Sequence, residues 1–273
     1  MLSKNLALVP EGVKLPVSEL TVVAAALQKQ AQRDFAPIWN VTATVSPFAR
    51  LEDVPGDYWP VIIVDDVEGA AGYHDDEQGQ PLAFVEVGEQ WSLTASHEIC
   101  EMLADPFGNR LVAGRSPKPK QGRVNFLVEV CDPTEGLDFA YSVNGVMVSD
   151  FYTPNYFDPT YSSGVRYSFS GAPLRPRKIL AGGYLSWWVE ATGELWQTTW
   201  FSGSKPRFVN HGVVPIEGSL RATVDRRTKA VLGKPGKRSP YAERMLVRRE
   251  VNSAATKKAT RIRAFLESCK NEK

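Results

Sequence analysis

The sequence predicts an α+β domain: a mixed sheet carrying a helix with a His-Glu-x-x-Glu motif, then β-hairpins, then a basic helical C-terminal extension. Three observations predict it. Apolar residues recur at three- and four-residue spacing over residues 18–35 and 92–104, the period of a helix lying on a core. Short apolar runs at residues 41–45, 59–64 and 82–87 have the length of strands. Turn signals between aromatic and β-branched residues follow from residue 141 onward, as hairpins require. The chain has 273 residues, 43% of them hydrophobic and 23% charged. That is the composition of a chain that can bury a core, and it excludes wholesale disorder.

Each element has its own reason. Over residues 18–35, Leu20, Val23, Ala24, Leu27 and Ala31 make the inward face, Pro16 and Ser18 start the helix, and Pro37 is expected to stop it. Residues 41–45 alternate through threonines, and the run from Trp59 to Val64 ends in Asp65 and Asp66, as a buried strand would. Residues 69–80, including Gly72-Tyr73-His74, read as a polar loop, and residues 82–87 as a short strand. In the helix over residues 92–104, Leu93, Ala95, Ile99, Met102 and Leu103 can face the core. Asp105-Pro106 closes it, because proline disfavours helical geometry at the residue before it. Residues 110–123, rich in Pro, Lys and Gly, are expected to form a loop, and residues 124–130 a strand running into Cys131-Asp132-Pro133. Asn144-Gly145 between short apolar triplets signals a type I′ hairpin, whose two central residues need positive φ. The aromatic-rich stretch 151–203, with Trp187, Trp188, Trp196 and Trp200, is expected to supply further hairpins, core and a cleft wall.

Charge divides the chain unevenly. Residues 220–273 carry 16 Lys and Arg against 5 Asp and Glu, and the remaining residues carry 16 against 26. An acidic body with a basic end marks organisation. We divide the chain into a domain over residues 1–205, a linker region over 206–239 containing Lys234-Pro-Gly-Lys-Arg-Ser-Pro, and a basic helical tail over 240–273. The basic part can contact nucleic acid through phosphates, an acidic protein partner, or the body itself. Three cysteines are too few, and too odd in number, for a disulfide framework, which suits a reducing compartment such as the cytoplasm. No apolar run is long enough for a transmembrane helix, and the first fifteen residues lack the apolar core of a secretory signal, so neither a membrane partner nor export is expected.

The chemistry concentrates in Ser96-His97-Glu98-Ile99-Cys100-Glu101. Residues i and i+4 share a helical face, so His97 and Glu101 can grip one cation, and Glu98, one position round, can reach a water bound beside them. This is the H-E-x-x-H zinc geometry with glutamate as the second ligand. A metal in such a site lowers the pKa of its water and polarises a carbonyl, while the neighbouring glutamate moves the proton. One histidine with two carboxylates is a hard, anionic donor set: zinc comes first, with manganese and calcium as alternatives.

The strings Ser96-His97-Glu98-Ile99-Cys100-Glu101-Met102-Leu103-Ala104-Asp105-Pro106, Glu129-Val130-Cys131-Asp132-Pro133, Val148-Ser149-Asp150-Phe151 and Gly182-Gly183-Tyr184-Leu185 resemble a family of uncharacterised zincin-like proteins, putative metallopeptidases of bacteria and phages. The resemblance covers residues 15–205. It implies a zincin-like fold in which the strand over residues 82–87 is the antiparallel edge of the cleft. It also implies one divalent ion on His97 and Glu101, Glu98 as base, and a third ligand after the helix. Glu129 and Asp132 are the candidates. In a regular strand they point to opposite faces, so one binds the ion and the other orients a ligand or caps a turn, with Glu129 slightly preferred. Asp105, His74 and Tyr184 are expected behind the ligands or in the cleft. The implied activity is hydrolysis of amide bonds in a peptide or protein. The alternative is a non-catalytic zincin-fold assembly protein, such as a virion component, whose basic tail binds a partner.

Overall fold

The computed structural model describes residues 2–67, 70–214, 219–221, 223–224 and 253–271. The fold is mixed α+β, with two five-stranded sheets, a separate hairpin and a C-terminal helix. The first sheet contains β1 (Leu2–Pro10), β2 (Val41–Pro47), β3 (Trp59–Val64), β4 (Gly72–Glu77) and β5 (Gln80–Glu86) in the order β2-β1-β3-β5-β4. The first four in that order are parallel, and β4 runs antiparallel to β5 at the edge.

Two expectations are corrected here. The run over residues 82–87 is an interior strand, and the antiparallel edge is β4, inside the stretch read as a loop. Tyr73, His74, Asp75 and Asp76 are too polar to announce a strand. They pair with β5 because only one of their faces is buried.

Both faces of this sheet are covered, so its inner strands read as continuous apolar runs. Leu6, Leu8, Val61, Ile63, Ala83 and Val85 point to α1 (Val17–Lys29) and α3 (Trp91–Ala104). Ala7, Val9, Ile62, Val64, Leu82 and Phe84 point the other way, to α4 (Ser253–Asn271), which brings Ala259, Ile262 and Phe265. The basic helix therefore lies on the body. Arg263 pairs with Glu11 and Glu52, and Lys258 Nζ donates to the carbonyls of Pro55 and Tyr58. The linker residues 234–240 lie outside the described residues. Among the described residues, no helix is long and apolar enough to cross a membrane.

The first helix outruns its expected stop. After α1 the chain takes a wider π-helical turn, Gln30–Phe35, and then α2 (Ala36–Trp39). Pro37 sits in the first turn of α2, where its missing N–H costs nothing, and Asn40, with φ 58°, ends the run. The wide turn aims Gln30 into the core, where it serves α3 (below).

The second sheet is antiparallel, ordered β12-β11-β10-β7-β6: β6 (Leu111–Arg115), β7 (Arg123–Leu127), β10 (Tyr184–Val189), β11 (Glu194–Thr199) and β12 (Arg207–Val213). Residues 110–123 thus contain a strand besides their loop, since Leu111, Val112 and Ala113 pair with β7. The hairpin of β8 (Tyr141–Val143) and β9 (Val146–Val148) turns at Asn144, φ 52°, and Gly145, φ 82°, as the sequence requires. Tyr152, Tyr156, Phe151 and Trp187 are fully buried, so much of the aromatic stretch is core.

Candidate metal centre

α3 supplies three of the site's side chains. It lies so deep that Ala95, Ser96, Glu98, Ile99, Cys100, Glu101 and Met102 are all buried. Its rotation is fixed by a polar lock. Ser96 Oγ donates to Gln30 Oε1 (2.7 Å) and accepts from the Ser149 N–H (2.8 Å), while Gln30 Nε2 donates to the Ser149 carbonyl (2.9 Å). With Ser96 held, His97 and Glu101 come together one turn apart, His97 Nε2 lying 3.3 Å from Glu101 Oε1.

Glu129 and Asp132 both reach this point. The expectation of opposite faces fails because β7 ends at Leu127, two residues before Glu129, and residues 132–134 form a 3₁₀ turn. Asp132 Oδ1 lies 3.3 Å from His97 Nε2, and Glu101, Glu129 and Asp132 form one tight group. Gly183 makes room for this turn: a Cβ there would sit 2.6 to 2.7 Å from the carbonyl oxygens of Pro133 and Asp132. The Cys131 N–H donates to Glu101 Oε1 (3.1 Å), while its thiol faces the His97 carbonyl, turned from the carboxylates.

His74 and Glu98 complete the cluster. His74, on β4, is 1% exposed; its Nδ1 lies 3.5 Å from Glu98 Oε2 and 3.7 Å from Glu101 Oε2. Its Nε2 is 3.2 Å from the Asp105 carbonyl. The Asp105 side chain caps the next turn, accepting from the Arg110 N–H (2.6 Å). Tyr184 opens β10 with its ring 5.7 Å from that of Phe201.

Arg221 and Glu135 have no place in the sequence expectations. Arg221, in the stretch read as linker, donates from Nη1 to Glu101 Oε2 (2.7 Å) and to Glu129 Oε2. Its backbone is docked on the turn after α3: the Arg221 N–H donates to the Gly108 carbonyl (3.1 Å), and the Leu220 N–H to Asn109 Oδ1 (3.0 Å). Nothing in the composition singles out this arginine from the other basic residues near it. Glu135 groups with His97 and Asp132, and unlike the buried Glu98 it is partly exposed. Its signal was legible: Glu129, Asp132 and Glu135 recur every third residue. Tyr152 places a buried hydroxyl, without a hydrogen-bond partner, near the Glu129 charge.

The electrostatics follow from this crowding. Burial works against a charged His97, yet Glu101, with Asp132, holds its pKa well above the ordinary imidazole value. Burial would raise Glu101, but His97 and Arg221 hold it well below the carboxylate range. Burial, then the Glu101 charge, pushes Asp132 up to about 7. Burial also pushes Glu129 and Glu135 well up, Glu129 despite Arg221.

The cluster is short of positive charge. Glu129 Oε1, Glu98 Oε2, both Asp132 oxygens and His74 Nδ1 are buried without a hydrogen-bond partner. Such orphaned acceptors are costly unless a proton or cation meets them. His97 Nε2 lies 3.3 Å from both Glu101 Oε1 and Asp132 Oδ1, close to the edge of a tetrahedron with about 2.0–2.2 Å metal bonds, and Asp132 is grouped closely enough with His97 and Glu135, and with Glu101 and Glu129, to hold a divalent ion. No protein-family model, curated protein or solved structure matches the chain.

Proposed function

We propose that this chain is a metal-dependent hydrolase of zincin-like type, acting on amide bonds of a peptide or protein. One observation carries the reading. His97 Nε2 is 3.3 Å from both Glu101 Oε1 and Asp132 Oδ1, and the two Asp132 oxygens are buried without a completed hydrogen bond. The fold supports it: a mostly parallel sheet with an antiparallel edge strand lies against the helix that carries His-Glu-x-x-Glu. His97, Glu101 and Asp132 hold the ion, zinc in the first place. Glu129 is drawn off by Arg221 and serves as its counter-charge.

When bound, a divalent ion there would acidify a water and polarise a carbonyl. The protein's own residues do the rest. Glu101 is kept anionic by His97 and Arg221, ready to ligate. Arg221 offsets part of the negative charge that would otherwise weaken the ion as an electrophile. A carboxyl group must take a proton from the water and return it to the leaving amine. Glu98 is the base expected from the motif, but it is 3% exposed and turned to His74. Glu135, grouped with His97 and Asp132, is less buried than Glu98 and has its pKa raised, which suits a group that both takes and gives a proton, and we assign it that role.

The test is metal content by elemental mass spectrometry of the wild type, His97→Ala and Asp132→Asn, followed by a peptide-library cleavage assay with Glu135→Gln and Glu98→Gln. About one equivalent lost in both ligand variants, and cleavage lost in Glu135→Gln with the metal retained, is the expected result. Metal content untouched by His97→Ala and Asp132→Asn would overturn the site. Full cleavage by Glu135→Gln would overturn the role of Glu135.

A further inference from the structure

Glu98 and His74 are left without a task by the single-ion site, and their geometry is unusual. The Asp105 carbonyl can only accept, so the contact at His74 Nε2 places the ring proton there. In the neutral ring Nδ1 is then a lone pair, and it faces two carboxylate oxygens, Glu98 Oε2 at 3.5 Å and Glu101 Oε2 at 3.7 Å. One lone pair and two carboxylate oxygens converge where neither His74 Nδ1 nor Glu98 Oε2 has a hydrogen-bond partner, and all three side chains are at least 97% buried.

A proton on Nδ1 would answer the charge with a hydrogen bond of about 2.7–2.9 Å. The separations seen are longer than that. At 3.5 and 3.7 Å they lie at and just above the about 3.3–3.6 Å between neighbouring ligands of one tetrahedral ion. A histidine whose second nitrogen is anchored on a backbone carbonyl is also the usual arrangement behind a metal ligand.

We propose that His74 Nδ1, Glu98 Oε2 and Glu101 Oε2 form a second divalent-cation site, so that Glu101 bridges two ions, one on each oxygen. The proposal rests on the preceding reading only for the first ion, since the second set includes neither His97 nor Asp132. A carboxylate bridge of this kind spans about 3.5–4 Å, the separation of two-metal hydrolytic centres. The donor set, one imidazole nitrogen and two carboxylates, suits zinc or manganese better than calcium. Arg221 also donates to Glu101 Oε2, whose second lone pair leaves room for the ion. Gly72 is part of the construction. A Cβ on it would lie 3.0 Å from Glu98 Oε1 and 2.6 Å from Thr94 Cγ2, so the bare backbone of β4 is what lets the edge strand close over Glu98.

The experiment uses the full chain with zinc alone and with manganese alone. Bound equivalents are counted after dialysis in the wild type, His97→Ala, His74→Ala and the double variant. Two equivalents, one, one and none are expected. In addition, the manganese-loaded wild type should show the broad resonance of a coupled pair, and His74→Ala the six-line signal of an isolated ion. One equivalent in the wild type, lost in His97→Ala and kept in His74→Ala, would overturn the second site while leaving the first. One equivalent lost in His74→Ala and kept in His97→Ala would keep the second site and remove the first. If His74→Ala does not fold, the manganese resonance of the wild type decides alone: an isolated six-line signal at saturation overturns the bridge.

Discussion

Replacing Arg221 by alanine strands two carboxylates. The guanidinium side chain is 4% exposed, and Glu101 and Glu129, which it joins, are 0% and 3% exposed. Solvent therefore does not screen the pair, and the cost belongs to the class of broken buried ion pairs, about 3–5 kcal/mol. At about 2–4 °C per kcal/mol for a chain of this size, the midpoint should fall by about 6–20 °C. The backbone bonds of residues 220 and 221 to Asn109 and Gly108 do not involve the side chain, so the loss reports the charge rather than the segment. The assay is urea and thermal unfolding followed by circular dichroism in a chelating buffer. In the same buffer without chelator, a divalent ion at a hundred times its dissociation constant should add about 2.7 kcal/mol by mass action on the folded state. The double change Glu129→Gln with Arg221→Met removes one of the two stranded charges and should recover part of the loss, the remainder being the Glu101 carboxylate that still lacks its guanidinium. A metal-free Arg221→Ala within about 1 kcal/mol of the wild type would refute the reasoning, since the carboxylates would then not depend on the guanidinium.

Two further outcomes follow from the same cluster. Gly108→Ala puts a methyl group 2.5 Å from both Arg221 Cβ and Ser219 Oγ; it should cost about 1–3 kcal/mol and be non-additive with Arg221→Ala in a double-mutant cycle, whereas simple additivity would show that the two do not share a contact. Asp132 holds its proton more tightly folded, at about 7, than unfolded, near 3.8; the metal-free chain should therefore lose stability as pH rises from about 4 to 7, by up to about 4 kcal/mol, and unfolding free energies that climb through that window would contradict the burial of Asp132.

Helix α3 was legible because its inward positions and its Asp-Pro end are both local signals, and the structure places it at Trp91–Ala104. The hairpin at Asn144-Gly145 was legible for the same reason. What escaped the sequence depends on pairing at a distance. β1 lies between two parallel neighbours inside the sheet, so its apolar run Leu6–Val9 shows no alternation to announce it. β4 is polar on one side, and His74 turns inward only because β5 lies beside it. Of the site, the pair one helical turn apart could be read from spacing, as could the acidic pair after β7. Which way Glu129 and Asp132 point could not, because that depends on where β7 stops. Arg221 was beyond reach: it lies 92 residues from Glu129, and only the docking of its segment on Gly108 selects it.

The placement of α4 sets an order on how the chain can fold. One face of the parallel sheet can close as soon as α3 is made, since α1 and α3 are both at hand by then. The other face, with Val9, Ile62, Val64 and Phe84, waits for Ile262 and Phe265. During synthesis that face stays wet for most of the chain's length, and a nascent chain halted before residue 253 displays an apolar sheet wide enough to engage chaperones or other unfinished copies. The positive charges of α4 then have a second use besides pairing with Glu11 and Glu52. They keep a helix with an apolar stripe in solution until the acidic body it must cover has formed beneath it.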